Sequence, residues 1–187
     1  MELSGNALTT LLQVQTHLSV TDSAENPELT WLINVASGQL EAECNRSFGK
    51  ATYTAEKYTG NGRRLLALRQ YPVLEVSAIT VDEALVTDFF IDNAAGLLFR
   101  ETAWDTNSAI SVNYDAGYVL PKDATTENPS TLPYELEVAC VLLVAQLYNQ
   151  RGSEHLSAEA VGPLKWTYVD EIPAVRAIVN KYRRVLL

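Results

Sequence analysis

The spacing of apolar residues along this chain changes twice, from three-and-four to two and back again. In residues 8–20, Leu11, Val14 and Leu18 share one helical face, and Thr9 or Thr10 stands where a side-chain oxygen can cap the first turn. Residues 26–46 predict a longer amphipathic helix. Leu29, Leu32, Ile33, Ala36, Leu40 and Cys44 form its stripe, Asn26 is placed to cap it, and Pro27 occupies the first turn, where a missing N–H costs nothing. Trp31 falls off that stripe, so it is either shielded by another element or part of a contact.

From residue 52 to 118 the period is two. Residues 52–58 alternate weakly, and Gly60-Asn61-Gly62 supplies the positive φ of a hairpin turn. Two apolar runs, 65–68 and 73–81, meet at Tyr71-Pro72, where the proline pushes the preceding residue out of the helical region. The second run is apolar on both faces, which predicts a strand buried on two sides. Phe89-Phe90-Ile91 and Leu97-Leu98-Phe99 bracket a turn-rich loop and read as a hairpin. Ile110, Val112 and Tyr114 line one face of a further strand. Five or six short strands result, enough for a small antiparallel sheet or barrel.

Residues 121–133 form a linker rich in Thr, Asn, Ser and Pro. The segment after Pro133, residues 135–148, is helical in pattern and apolar nearly all round, so it needs cover on every side. It is therefore either the central core helix or part of a subunit interface. Gly152 is placed to end it, residues 153–165 read as an exposed loop, and Ile172-Pro173 opens a last helix. That helix carries its stripe on Ile172, Val175, Ile178 or Val179, and Tyr182.

Composition narrows the class. A chain of 187 residues holds one domain, or one domain with a sizeable insertion, and 47% hydrophobic with 20% charged residues is globular usage. No apolar run nears the roughly 20 residues of a membrane span. The N-terminus lacks a basic segment followed by a long apolar core, so the expectation is a soluble, cytoplasmic protein. The net charge of −9 argues against a general nucleic-acid binder, which needs cations to displace counterions from phosphate. From Ile172 onward there are four basic residues (Arg176, Lys181, Arg183, Arg184) and no acidic one, which leaves −13 on the preceding residues. Such a tail is either a docking element for an acidic surface or a set of cations complementing a helix C-terminus. Cys44 and Cys140 each sit in an apolar helical pattern and read as small core hydrophobes.

A search for chemistry returns little. Gly60-Asn61-Gly62-Arg63 lacks the glycine spacing and the Lys-Ser/Thr of a phosphate-binding loop. His17 ends the first helix and His155 lies in a polar loop, neither within a motif that makes a base. Asp82-Glu83 and Asp88 to Asp92 lack a calcium-loop pattern, and no serine stands in a Gly-x-Ser-x-Gly context. No catalytic, cofactor-binding or metal-ligating residue is assigned.

Several short pieces in order carry a resemblance. They are Glu43-Cys44-Asn45-Arg46-Ser47-Phe48 at a helix end, Tyr58-Thr59-Gly60-Asn61-Gly62-Arg63-Arg64-Leu65-Leu66, and Tyr71-Pro72-Val73. Val76-Ser77-Ala78-Ile79-Thr80-Val81-Asp82 and Val112-Asn113-Tyr114-Asp115-Ala116-Gly117-Tyr118 follow, then Tyr148-Asn149-Gln150-Arg151-Gly152 and Lys181-Tyr182-Arg183-Arg184. Together they resemble the head–tail connector (adaptor, or head-completion) proteins of long-tailed bacteriophages, related prophages and gene-transfer particles. The resemblance implies an α+β fold: a bundle of about four helices, residues 1–50 and 119–187, with a small antiparallel β domain inserted at 51–118. It implies a non-enzymatic structural protein without cofactor, built as a ring of commonly twelve subunits beneath the portal. The ring extends the DNA channel and joins capsid to tail. Its partners are further copies of itself, the portal protein, the next neck or tail-completion protein, and double-stranded DNA that passes without sequence-specific binding. Its place is the virion neck, and the host cytoplasm during assembly.

On that reading Arg176, Lys181, Tyr182, Arg183 and Arg184 are candidates for docking the portal, and Trp31, Trp104 and Trp166 for the subunit interface. An acidic body suits a channel wall along which phosphate slides without sticking. The alternative is a small ligand- or protein-binding module with its site on the β insertion, and a size measurement separates the two.

Overall fold

A computed structural model describes residues 1–151, 158–161, 164–167 and 172–184, the short stretches 158–161 and 164–167 in backbone only. The readings at Gly152 and His155 lie outside the described residues. The helices are α1 (Leu11–Leu18), α2 (Asn26–Cys44), α3 (Tyr134–Gln150) and α4 (Pro173–Tyr182). Seven strands lie between α2 and α3: β1 (Ala51–Thr59), β2 (Leu65–Ala67), β3 (Val73–Val81), β4 (Ala84–Val86), β5 (Phe90–Asp92), β6 (Leu97–Phe99) and β7 (Ala109–Ala116). Two more, β8 (Ala158–Val161) and β9 (Leu164–Thr167), pair as a hairpin where the sequence read as an exposed loop. The fold is mixed α+β.

Local chemistry sets the helix ends. Thr10 caps α1, its hydroxyl accepting the Gln13 N–H at 3.3 Å. Asn26 does not cap α2. It lies inside the helix, and its Oδ1 accepts from Gln15 Nε2 at 2.7 Å, which ties α2 to α1. Pro27 sits in the first turn as expected, and Asn45 ends the helix in the left-handed conformation.

The strands form two antiparallel sheets, one in the order β1-β7-β3-β4 and one in the order β2-β6-β5. Gly60-Asn61-Gly62 is therefore not a hairpin turn: β1 pairs with β7 and β2 with β6, and the turn passes the chain from one sheet to the other. Its close docking demands glycine, since a Cβ on Gly60 would lie 1.9 Å from the Asp105 carbonyl oxygen. The hairpin of β5 and β6 forms as read, with Gly96 at positive φ. β7 buries Ile110, Val112 and Tyr114 on one face. β3 departs from expectation. Only Val73 and Ile79 are buried and Leu74 is exposed, because the sheet is covered on one side, whatever the second face carries.

Two hydrophobic clusters result. The helical cluster joins the α2 stripe to Val14 of α1, to Leu136, Ala139, Cys140, Leu143 and Val144 of α3, and to Val175 and Val179 of α4. The β cluster is built around Trp104, Tyr114, Ile79, Ile110 and Leu98. Between them lies a junction of backbone bonds: Lys50 N–H to Tyr118 O at 2.9 Å, Tyr118 N–H to Phe48 O at 2.8 Å, and Gly117 N–H to Pro72 O at 2.9 Å. Arg46 completes it. Its guanidinium lies 3.5 Å from the Tyr71 ring centroid and 5.0 Å from that of Phe48, and donates to the Tyr71 carbonyl oxygen. The Tyr71–Pro72 peptide at this junction is cis.

Candidate functional site

The surface features that remain after the two cores are filled include α4, the outer side of α2, and a groove between α1 and α3. The amphipathic pattern of α4 places Val175 and Val179 in the helical cluster, so its basic residues lie toward the periphery. They do not form one patch. Lys181 Nζ is 2.6 Å from Glu135 Oε2, and the Tyr182 hydroxyl donates to the same oxygen at 2.9 Å, so both fasten α4 to the start of α3. The two donors hold the Glu135 carboxyl below the usual carboxylate range, while Glu135 raises Lys181. The Arg184 N–H donates to the Cys44 carbonyl at 2.8 Å, and Arg184 borders a depression of about 470 Å³ with Arg46, Glu41, Asn6 and Gln70. Arg183 is exposed beside it. Arg176 stands near the other end of α4, in a depression with Gln39 and Glu43.

The tryptophans divide. Trp31 is 52% exposed on α2, one turn before exposed Val35. Trp104, a candidate for the subunit interface, is instead wholly buried in the β cluster with the Arg100 guanidinium over its ring, so its indole packs within its own chain. Trp166 belongs to β9, and its side chain lies outside the described residues.

The groove between α1 and α3 was not singled out by the sequence. It encloses about 310 Å³ and is floored by Val138, Val141 and Leu142, with Gln13 and His17 of α1 and Tyr134 at its edges. The signal was present in the helix that is apolar all round: α3 is central, yet these three residues stay half-buried. Glu137 also lines the groove. Burial pushes its carboxyl above the usual range, and its hydrogen bond from the Thr9 hydroxyl is long, at 3.4 Å.

The cysteines are buried and free. Burial pushes the Cys44 thiol up to about 11 and the Cys140 thiol up to about 12, so neither is a nucleophile near neutral pH. A second polar cluster lies on the β side. Glu56 accepts hydrogen bonds from the Tyr58 and Tyr114 hydroxyls, and its other oxygen faces Arg69 Nη1 at 3.3 Å. Burial and the carboxylate both raise the two phenols, so the cluster acts as a fixed brace at the β1 bulge. Among the described residues no group of three or more His, Cys, Asp or Glu side chains is placed to hold a metal ion. No helix of the described residues is long and apolar enough to cross a membrane.

Comparison with known proteins bears on these surfaces. The family model described as "Head completion protein" matches residues 7–185. Among solved structures, the chain is similar to one in the neck of an empty GTA particle computed with C6 symmetry. The TM-score is 0.56 and the identity 20%, over 100% of this chain and 94% of the other. It is similar also to a chain in the neck of a native GTA particle computed with C12 symmetry, with TM-score 0.55, 20% identity and the same coverage. A chain from the virion of a native gene transfer agent particle gives TM-score 0.53 at 19% identity, over 100% and 94%. These likenesses show a shared fold. No curated protein sequence matches the chain.

Proposed function

The chain belongs to the head completion protein family, and from that premise we propose that it is a non-enzymatic connector in the neck of a phage-like particle. On this reading it assembles as a ring under the portal, extends the DNA channel, and joins capsid to tail. The observation that carries the reading is the family match over residues 7–185, nearly the whole chain. The fold shared with chains of GTA necks supports it, as do the apolar residues left uncovered on α2 and in the α1/α3 groove. The separate helical and β clusters support a division into a helical core, residues 1–50 and 119–187, and an inserted β unit at 51–118. With a net charge of −9, a ring whose acidic residues face the channel would repel phosphate and let DNA pass without lodging.

Arg183 and Arg184 are the portal-docking residues of this proposal, because Lys181 and Tyr182 are engaged with Glu135 inside the subunit. Removing the chain from Ile172 onward is a poor test, since it strips Val175 and Val179 from the helical cluster. The test is electron microscopy of the protein alone and mixed with its portal protein, using wild type and the doubly reversed Arg183→Glu, Arg184→Glu chain. The expected result is a ring on the portal for wild type and its loss for the variant with the fold intact. A wild-type chain that neither forms rings nor binds portal would overturn the reading. A variant that docks as well as wild type would remove these two arginines from it.

A further inference from the structure

Among the described residues no layer covers one side of the three-stranded sheet. Its register aligns Leu65, Phe99 and Phe90 in one row and Ala67, Leu97 and Asp92 in the next. Alternation along a strand sends neighbours to opposite faces, and Leu66 and Leu98 are buried in the β cluster. The rows that begin with Leu65 and Ala67 therefore face outward. Phe90 is 70% and Phe99 41% exposed, a cross-strand aromatic pair in water. Monomeric surfaces scatter single apolar residues, whereas a contiguous aromatic patch of this kind marks a contact. Arg63 and Arg64, where the chain enters β2, are both exposed, and their side chains have no hydrogen bond or ion pair among the described residues.

The α1/α3 groove is its counterpart in shape and charge. Its floor is aliphatic (Val138, Val141, Leu142), and among the described residues its carboxylate, Glu137, has one long hydrogen bond and no ion pair. One chain thus carries an aromatic face flanked by arginines without a side-chain partner among the described residues, and an apolar groove holding a carboxylate with one long hydrogen bond there. The two lie on different clusters, so pairing them between copies gives a head-to-tail contact, which closes into a ring when the rotation closes.

We propose that the Phe90–Phe99 face of one subunit seats in the α1/α3 groove of the next, with Arg64 beside Glu137. This rests on the ring reading above and names its subunit contact.

The test uses the full chain with its portal protein. Wild type is examined first, and failure to form rings removes the ring reading and this contact together. Given rings, Phe90→Asp lowers subunit–subunit affinity at least about tenfold, because the contact would centre on a buried aromatic anchor. Phe90 is exposed in the free subunit, so its thermal unfolding stays at the wild-type value. Arg64→Glu weakens assembly, and Glu137→Lys in the same chain restores it. Separately prepared Phe90→Cys and Val138→Cys chains form an oxidised dimer when mixed and neither does so alone. Rings of undiminished stability in Phe90→Asp, or no mixed cross-link within rings, would show that the contact is wrong while leaving the ring reading in place.

Discussion

Glu137 shows how one residue's surroundings set its energetics. It sits in the first turn of α3, but the apolar floor around it disfavours the charged form, and its carboxyl is raised above the usual 4.5. The folded state therefore holds this proton more tightly than the unfolded chain. That contribution is fully present below pH 4.5 and is lost as pH rises through the raised folded value. Glu137→Gln cannot ionise and escapes the loss. Relative to wild type it should gain stability between pH 4 and 7, by about 1–2 °C in Tm for a group this accessible to solvent. Thermal unfolding of both proteins across that range checks it, and a difference that is flat or falling with pH would contradict the assignment. The residue was not legible in advance, because one Glu among many gains its character only from what packs beside it.

At the scale of elements, α3 organises the helical half. Its pattern, apolar nearly all round, left two possibilities: a central helix or an interface. It is central, and one side of it stays half-buried. Leu136, Ala139, Cys140 and Val144 face the other helices with no exposure, and Val138, Val141 and Leu142 floor the groove. Replacing Leu136 by Ala opens a cavity where the surroundings are fixed by three neighbouring helices. It should cost about 2–5 kcal/mol in denaturant unfolding, and a loss under 1 kcal/mol would mean that α3 is not central. The strands teach the opposite lesson. β3 and the β2-β6-β5 sheet carry apolar residues on both faces, and periodicity reads that as burial on both sides. Among the described residues only one face is covered, because periodicity records which side chains are apolar and not which layers are there to cover them.

For the whole molecule, the helical and β clusters meet at a tightly constrained junction where residues 48–50 meet 117–118. Gly117 has φ +109°, and a Cβ there would lie 2.4 Å from the Gly49 carbonyl oxygen. Both the left-handed backbone and the close approach require glycine. Gly117→Ala should cost at least about 1–3 kcal/mol and loosen the β cluster from the helical one. Hydrogen exchange would then show faster exchange at Lys50 and Tyr118 ahead of either core, and unchanged protection there would refute the role of this glycine.

The sequence by itself determined the order of the four helices, the run of short strands between α2 and α3, the α2 stripe and the inward face of β7. These follow from local backbone preference and from periods of 3.6 and 2, which any window of the chain carries. The tertiary structure alone decided that β1 pairs with β7 and not with β2, that Trp104 is interior, and that Lys181 and Tyr182 are spent on Glu135. It also set an aromatic pair and a carboxylate with one long hydrogen bond among the described residues on separate surfaces. Those outcomes depend on partners distant in sequence, and pairing between distant segments leaves no periodic trace in either one.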